Sequence, residues 1–255
     1  MICAIILTHN DGNGIEKTLS KLMWCDELIV VDDDSTDDTI EKVKPFTSRV
    51  FKHNVNGDFA SQRNFGLSKT NSDWVLFIDS DETVSTDLEH EIQGAIERKE
   101  FAGYFLKRDD FMYGQKLTHG ETGSVRLLRL GKKDAGIWRR SVHEVWDIKG
   151  PVGSINSPLQ HFPHPNVAQF LDEINYYSTL NAKFMYDQGI HVNRLQIVCY
   201  PVAKFFVNYI LRAGFLDGTP GAIMALMMSF HSFLTRAKLY QLWHMASKPE
   251  EQAAV

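Results

Sequence analysis

The stretch WVLFIDSD, residues 74–81, joins a buried strand to acidic side chains at its end. Its first five residues form a continuous apolar run, which is typical of a parallel strand covered on both faces. Asp79 and Asp81 follow at once, although burial of a carboxylate is unfavourable unless a cation or a hydrogen-bond donor compensates it. We therefore expect these carboxylates to meet a cation, a reacting group or water.

Two earlier stretches show the same pattern of an apolar run that ends in polar residues. ICAIILT (2–8) is followed by the turn residues that begin at Asn10, and ELIVVDD (27–33) ends in acids. The shorter run RVFKH (49–53) predicts a weaker strand. Helices are predicted between these strands, from Ile15 to Leu22, from Ser35 through Val43 and over residues 58–69.

This alternation of strands and helices predicts a parallel sheet with right-handed crossovers. Ligands bind such sheets beyond the carboxyl ends of the strands. The polar ends at residues 8–10, 32–34 and 79–81 should therefore meet along one edge of the sheet.

The pattern changes from about Gly103 onwards. Segments 103–114, 124–130 and 137–146 predict strands that make the sheet a mixed one, and helices follow. Asn166 is a predicted N-cap of the first of these helices, and the next two are predicted over residues 195–213 and 220–243. The predicted organisation is a catalytic α/β domain over residues 1–163 and a helical region over residues 164–255.

Size and composition limit the classes of protein that fit. A chain of 255 residues can bury one large core or one core with an appendage. The net charge of −5 argues against a general nucleic-acid-binding protein, because phosphate binding needs a basic surface. Cys3, Cys25 and Cys199 are widely spaced, which fits a reducing compartment without a disulfide framework. The start MICAIILTHN lacks a basic n-region, so we interpret it as a first strand and not as a signal peptide.

The segment Asp79-Ser80-Asp81 is a candidate metal site. Two carboxylates at positions i and i+2 of an extended strand end point the same way and can share Mg²⁺ or Mn²⁺, which often retain substrate phosphates as further ligands. Such a metal can neutralise the charge on a nucleoside diphosphate leaving group. A solvated pair of loop acids is the simpler alternative, but the neighbouring acid-ended strands favour a metal.

Other candidate residues have plausible structural roles as well. Asp32 and Asp33 can accept hydrogen bonds from a base or a ribose, or they can cap a turn. Arg63 can bind a phosphate with two hydrogen bonds, or it can be an ordinary surface arginine.

Four motifs in a fixed order now become informative together: LTHN (7–10), VVDDDSTDDT (30–39), QRNFG (62–66) and FIDSDE (77–82). They resemble glycosyltransferase family 2, the inverting GT-A type. SVHEVW (141–146) and the tail PVAKFFVNYILRAGFLDGTPG (201–221) also resemble the branch of lipopolysaccharide-core β-1,4-glucosyltransferases. The resemblance implies a Rossmann-like GT-A fold, a mainly parallel mixed sheet flanked by helices, with a C-terminal helical extension.

The same resemblance implies a donor, an acceptor and a metal. The donor would be a nucleotide-diphospho-sugar, in particular UDP-glucose, and the cofactor Mg²⁺ or Mn²⁺. The acceptor would be a lipid-linked saccharide such as a lipopolysaccharide inner core.

By analogy with the family, each motif position has an expected role. Asp81 would hold the metal, and His161 is a candidate for a further ligand, with a histidine bonded to the backbone as the equal alternative. Asp34 stands where the family commonly has the glycine of D-D-G-S, so this chain departs from the family's pattern at the local turn. The residues expected around the nucleotide-sugar are Thr8, Asn10, Asp32, Asp33, Arg63, Asp79 and Ser80.

Inversion also requires a base that removes the proton from the acceptor hydroxyl. Many family members use an E-D pair, which is absent from the corresponding region here, and His143-Glu144 stands instead. We therefore predict Glu144 as the catalytic base. A pairing with Arg139 or Arg140 is the structural alternative, and the two other candidate bases are Asp109 and Asp110.

The C-terminal helices are apolar and basic. AIMALMMSFHSFL (222–234) is shorter than the roughly 20 residues that a membrane span needs, and residues 195–213 are interrupted by Pro201 and Lys204. Residues 191–245 carry a net charge of +4. This pattern favours helices that lie on an anionic membrane surface over buried core helices or a dimer interface. The resemblance, whose acceptors are lipid-linked, implies the cytoplasmic face of the inner membrane.

Two other functions are compatible with parts of the sequence. A haloacid-dehalogenase-like phosphohydrolase also uses D-x-D after a strand, but normally after the first one, which here ends in LTHN. A non-catalytic nucleotide-sugar-binding scaffold would need neither Glu144 nor Asp81, and both are present.

Overall fold

The computed structural model describes residues 1–123, 125–141 and 144–246. The chain forms two compact units, one of Met1–Asp110 with Ser124–Pro163 and the other of Phe111–Gly123 with His164–Val255. The segment 111–123 thus belongs with the C-terminal helices, although it lies within the sequence of the first predicted domain. The functional roles assigned to the two predicted domains remain predictions.

The secondary structure follows the predicted order of elements. The strands are β1 Ile2–Thr8, β2 Glu27–Asp32, β3 Val50–Lys52, β4 Trp74–Asp79, β5 Glu82–Thr83, β6 Gly103–Met112, β7 Gln115–Lys116, β8 Arg126–Lys132, β9 Gly136–Arg139, β10 Val145–Ile148 and β11 Val152–His161. The α-helices are α1 Ile15–Ser20, α2 Thr39–Val43, α3 Phe59–Ser68, α4 Thr86–Ile96, α5 Val167–Asp187, α6 Arg194–Phe206 and α7 Gly218–Ala246.

The main sheet of the first unit has the strand order β3-β2-β1-β4-β8-β6-β11-β5. Strands β3, β2, β1 and β4 are parallel, β8 runs antiparallel to β4 and β6, and β11 is parallel to β6. Thr8 pairs in register with Asp32, and Leu7 pairs with Asp79. The prediction that the polar strand ends meet along one edge is confirmed, as is the fold class of a mixed sheet flanked by helices with a C-terminal helical region.

Both faces of this sheet are covered, which explains the uninterrupted apolar runs. Ala4 and Ile6 point to the face that packs against α1, α2 and α4. Ile5 and Leu7 point to the opposite face, together with Phe77, α3 and the β9–β10 hairpin. Alternate residues of β1 therefore enter two different cores, and a strand in this position needs apolar side chains on both sides.

The second unit is built around a small core beneath the C-terminal helices. Its buried members are Met112, Leu117, Phe170, Ile174 and Met224. In the described part of the chain, no helix combines the length and the apolar character that crossing a membrane requires.

In this unit, one predicted helix cap is confirmed and one predicted helix boundary is wrong. Asn166 caps α5, as predicted, by accepting a hydrogen bond from the Gln169 amide. The single helix predicted over residues 195–213 is instead α6 followed by a π-helical turn, Val207–Leu211. After a turn at Ala213, which has a left-handed φ of 55°, Gly214 packs closely on Asn208, whose carbonyl oxygen would be 2.7 Å from a Cβ at this position.

Asp217 fixes the inserted segment 111–123 to these helices. Its buried carboxylate accepts hydrogen bonds from the backbone amides of Thr118 (3.0 Å) and His119 (2.8 Å), and from the Thr118 hydroxyl (2.9 Å). Burial acts to raise the pKa of Asp217, but the hydrogen bonds from His119 and Thr118 outweigh it and lower that pKa. The carboxylate is therefore held ionised inside the second unit.

Candidate active site

The centre of the candidate site is the carboxylate of Asp79, at the carboxyl end of β4. Its Oδ1 accepts a hydrogen bond from Arg63 Nη2 at 2.9 Å, and its Oδ2 accepts one from Arg129 Nη2. Burial acts to raise the pKa of Asp79, but the Arg129 and Arg63 guanidinium groups hold it well below its usual range. Two cations therefore already compensate this carboxylate.

Arg63 connects Asp79 to the predicted base. It lies on α3 with only 3% of its side chain exposed, and its Nε donates a hydrogen bond of 3.0 Å to Glu144 Oε1. Its guanidinium group stacks 4.8 Å from the Trp138 ring and 5.6 Å from the Phe77 ring. Its Nη1 is buried without a hydrogen-bond partner, which is uncommon for a charged donor.

Glu144 stands at the start of β10, and its neighbours Val142 and His143 lie outside the described residues. The structural alternative paired Glu144 with Arg139 or Arg140; Glu144 instead pairs with Arg63, and Arg139 Nε donates to Asp147 at 2.7 Å. The hairpin that carries Glu144 is fixed by Trp138 stacked on Trp146, with ring centroids 5.3 Å apart.

Arg129 and Glu82 belong to the site, and sequence reasoning missed both. Arg129, on β8, is buried, and Glu82 is fully buried with Oε1 3.5 Å from Arg129 Nη2. Glu82 Oε2 also accepts the Asp79 amide at 2.9 Å. Burial raises the pKa of Glu82, and the nearby Asp79 charge adds to this, while Arg129 opposes it. An arginine inside the otherwise apolar run LLRL (127–130) was the signal that could have identified Arg129 as a buried residue.

Asp81 has a different partner from Asp79. Its Oδ2 lies 3.0 Å from His161 Nε2, and the other ring nitrogen of His161 binds Asp110 Oδ1. Burial acts to lower the pKa of His161, but Asp81 and Asp110 raise it to about 10. Burial acts to raise the pKa of Asp81, and the His161 charge and hydrogen bond outweigh it and lower that pKa. The idea that both D-x-D carboxylates turn to one shared cation does not fit, because guanidinium groups bind both oxygens of Asp79.

Asp81 and His161 can hold a divalent cation together only when the proton on His161 Nε2 leaves, because a metal-bound imidazole nitrogen carries no proton. An oxygen and an imidazole nitrogen converge there, and Asp110 orients the imidazole from behind, as carboxylates do for metal-binding histidines. Among residues 1–123, 125–141 and 144–246, no group of three or more His, Cys, Asp or Glu side chains is arranged to hold a metal. The remaining positions of a cation would have to be filled by ligand oxygens and water, which is common for Mg²⁺.

The residues predicted to bind the nucleotide lie close together at the ends of β1 and β2. They differ in whether their side chains already have hydrogen-bond partners within the protein. The Thr8 hydroxyl is buried without a partner. Asp32 accepts the Ser35 amide at 3.2 Å, and Asp33 Oδ1 accepts the Val55 amide at 2.7 Å. Asn10 Oδ1 accepts a hydrogen bond from the backbone amide of Thr36 at 2.7 Å, so the Asn10 side chain holds the loop after β2 in place.

Asp34 is the residue at which this chain departs from the D-D-G-S pattern of the family. Its φ of 58° lies in the left-handed region, which glycine adopts freely and aspartate tolerates. The Asp34 carboxylate also binds Lys52 Nζ at 2.9 Å. The turn is therefore kept with an aspartate in place of the glycine.

Asp11 and Ser80 adjoin the Asp81 side of the site. Burial raises the pKa of Asp11, and its neighbour Asp81 raises it further, while a hydrogen bond with Ser80 opposes this. Asp11 Oδ2 is buried without a hydrogen-bond partner. The sequence showed Asp11 only as a residue that breaks a strand, so its place beside Asp81 was not predicted.

The alternative bases occupy other surroundings. Asp109 is buried with Oδ1 3.4 Å from Lys107 Nζ, and Asp110 is committed to His161. His164 lies between β11 and α5 and pairs with Glu173 at 2.7 Å.

Comparison with known proteins identifies the family. Residues 3–146 match the model of glycosyl transferase family 2. The chain is 25% identical to an uncharacterized glycosyltransferase of Rickettsia typhi, over 94% of this chain and 87% of the relative. It is 27% identical to the lipopolysaccharide core biosynthesis glycosyltransferase LpsC of Rhizobium meliloti, over 100% of this chain and 97% of the relative.

Among solved structures, the chain is similar to glucosyl-3-phosphoglycerate synthase from Mycobacterium tuberculosis in complex with Mg²⁺ and uridine diphosphate. The TM-score is 0.48 at 18% identity, over 76% of this chain and 81% of that one.

A haloacid-dehalogenase-like phosphohydrolase and a non-catalytic scaffold are accordingly not favoured. Since the family match covers more than half of the chain and the relatives match nearly all of it, this protein belongs to glycosyl transferase family 2 and is a glycosyltransferase.

Proposed function

We propose that this protein is an inverting glycosyltransferase that moves glucose from UDP-glucose to a hydroxyl group of a lipopolysaccharide inner core or another lipid-linked saccharide. The observation that carries the proposal is the Arg63 guanidinium, which binds Asp79 on one side and Glu144 on the other. A donor-side carboxylate and a candidate base are thereby fixed to one buried cation at the sheet edge where ligands bind. The name of the similar protein LpsC supports the choice of acceptor class.

The nucleotide would bind over the ends of β1 and β2. The buried Thr8 hydroxyl and the carboxylates of Asp32 and Asp33 would face the uracil and ribose, with Asn10 holding the loop beside them. Asp79 and Ser80 would face the ribose or the sugar. The unpartnered Nη1 of Arg63 would donate to the diphosphate.

Asp81 and His161 would hold a divalent cation, Mg²⁺ or Mn²⁺. When bound, such an ion acts as a Lewis acid that neutralises negative charge on a departing diphosphate. The Asp110 carboxylate would keep the His161 ring in the orientation that presents Nε2 beside Asp81.

Glu144 would act as the general base. It would take the proton from the acceptor hydroxyl while that oxygen attacks the anomeric carbon from the face opposite the leaving group, which inverts the configuration. Arg63 would hold the Glu144 carboxylate in position through Oε1, which leaves Oε2 to receive the proton.

Residues 1–163 would form the catalytic domain, and residues 164–255 would form a region for the acceptor and the membrane. The protein would work in the cytoplasm at the inner face of the inner membrane, where lipid-linked acceptors and nucleotide-sugars are both accessible.

The direct test is turnover of the donor. Purified protein with UDP-glucose, Mn²⁺ and a defined core-oligosaccharide acceptor is expected to release UDP and to add one hexose, read by mass. A screen of other nucleotide-sugars under the same conditions identifies the preferred sugar. Release of inorganic phosphate alone, or no release with any donor, would contradict the proposal.

Asp81→Ala is expected to weaken Mn²⁺-dependent binding of UDP-glucose at least about tenfold, because a metal held by two protein ligands loses one of them. Calorimetric titration of UDP-glucose with Mn²⁺ and with a chelator measures this directly. The matched control is Asp38→Ala, which removes an exposed carboxylate paired with Lys42 on α2. Equal affinities of Asp81→Ala and the unaltered protein in Mn²⁺ would remove Asp81 from the metal site.

A further inference from the structure

Helix α6 and the π-helical turn after it expose a continuous row of apolar side chains, the outer stripe. Its members lie three or four residues apart, so they share one face of the helix. They are all about half exposed or more: Leu195 (71%), Val198 (59%), Val202 (50%), Phe206 (55%) and Ile210 (48%).

The opposite face of the same helix carries polar side chains beside the buried Pro201 and packs against the rest of the second unit. Lys204 Nζ binds Glu121 Oε1 at 2.8 Å, and the buried Asn208 donates to Glu121 Oε2 at 3.0 Å. The carbonyl group of the buried Pro201 accepts a hydrogen bond from Ser229. A surface helix of a globular protein normally points its apolar stripe inward, whereas α6 leaves the outer stripe exposed.

The charged residues of the sequence stretch that carries the outer stripe are almost all basic. From residue 188 to residue 246 the sequence has a single acid, Asp217, which is buried and bound by Thr118 and His119. The exposed Arg194 and Arg212 stand at the two ends of the stripe. The surface is therefore apolar in the middle and positive at its ends, with no exposed carboxylate on this stretch.

The turn that follows α6 continues the apolar exposure. Leu211, Phe215 and Leu216 are 77%, 47% and 60% exposed, and the Phe215 ring contacts Tyr209 with centroids 6.2 Å apart. An exposed apolar area of this extent marks an interaction surface.

We infer that the outer stripe and the turn after it bind the surface of an anionic lipid bilayer, with Arg194 and Arg212 at the level of the headgroups. Apolar side chains would enter the boundary of the acyl chains while the arginines contact lipid phosphates. A second copy of this chain fits less well, since pairing two stripes in either direction would bring arginines together. The inference deepens the proposed function in one respect, because a lipid-linked acceptor lies at such a surface.

The test is flotation of the full-length protein with vesicles of phosphatidylcholine mixed with phosphatidylglycerol, and with vesicles of phosphatidylcholine alone. Binding is expected to the mixed vesicles and to be much weaker without phosphatidylglycerol. The double variant Val202→Ser/Phe206→Ser should lower the partition coefficient at least about tenfold, because it removes two apolar side chains from the buried area. Arg194→Gln/Arg212→Gln should remove most of the preference for phosphatidylglycerol.

The matched control is Met23→Ser/Ile137→Ser, which removes two side chains that are 57% and 51% exposed in the first unit. It should bind vesicles like the unaltered protein, and thermal unfolding checks that all variants fold. Two results would overturn the inference: no binding of the unaltered protein to mixed vesicles, or a soluble dimer that Val202→Ser/Phe206→Ser dissociates. No donor is present in this assay, so vesicle binding without donor turnover would contradict the proposed function alone.

Discussion

Glu144→Gln is expected to lower the rate of sugar transfer by about 10²- to 10⁴-fold, the usual contribution of a general base. The glutamine amide still offers an oxygen to Arg63 Nε, so the hairpin and the Arg63–Asp79 pair should stay in place. The change therefore removes the proton acceptor without removing its support. Initial rates at saturating donor and acceptor measure the effect, and calorimetry should show unchanged affinity for UDP-glucose.

Asp109→Asn is the matched comparison, because Asp109 is the alternative base that His161 does not bind. It should keep most of the activity if Glu144 is the base. Full turnover by Glu144→Gln together with loss of turnover by Asp109→Asn would transfer the role to Asp109.

Arg129→Met is expected to lower the free energy of unfolding by about 3–5 kcal/mol, since it leaves the buried Glu82 without a cation and Asp79 with Arg63 alone. Methionine fills a similar volume, so loss of packing contributes little. Urea unfolding followed by fluorescence measures the change. Arg139→Met is the matched control, because Arg139 pairs with Asp147 on the surface and its loss should cost less than about 1 kcal/mol.

A second substitution tests whether the charge that Arg129 compensates causes the expected loss of stability. Glu82→Gln removes one of the two charges that Arg129 compensates, so the combination Arg129→Met/Glu82→Gln should be less destabilised than the sum of the single variants. Strict additivity, or a loss below about 1 kcal/mol for Arg129→Met alone, would show that this buried pair has little influence on stability.

The sheet edge could be predicted because its signal is local. Each strand of the edge is an apolar run that ends in a polar residue, and parallel pairing then aligns Thr8, Asp32 and Asp79 without further information. The sequence could not show in the same way that the two D-x-D carboxylates, which were predicted around one metal, have different partners. The partner of Asp79 on β8 lies 50 residues away in sequence, and only the antiparallel placement of β8 beside β4 reveals it.

The partner of the predicted catalytic base was equally beyond prediction from the sequence. Glu144 was chosen from a resemblance, and its partner was sought among the arginines next to it in sequence. The stacked Trp138 and Trp146 fix the hairpin against the sheet, and Glu144 thereby meets Arg63 on α3, 81 residues away. The sequence alone indicated an apolar and basic C-terminal region, but only the fold shows which face of α6 is turned outward.

Because segment 111–123 is attached to the C-terminal helices, these two parts of the chain should be inherited together. Asp217 holds Thr118 and His119, and Met112 and Leu117 share a core with α5 and α7. A gene fragment that ended after residue 163 would encode a loop whose anchor is missing, and two apolar side chains would lose their cover. Recombination between relatives should therefore exchange the loop and the tail as one inherited module, even though about forty codons separate them.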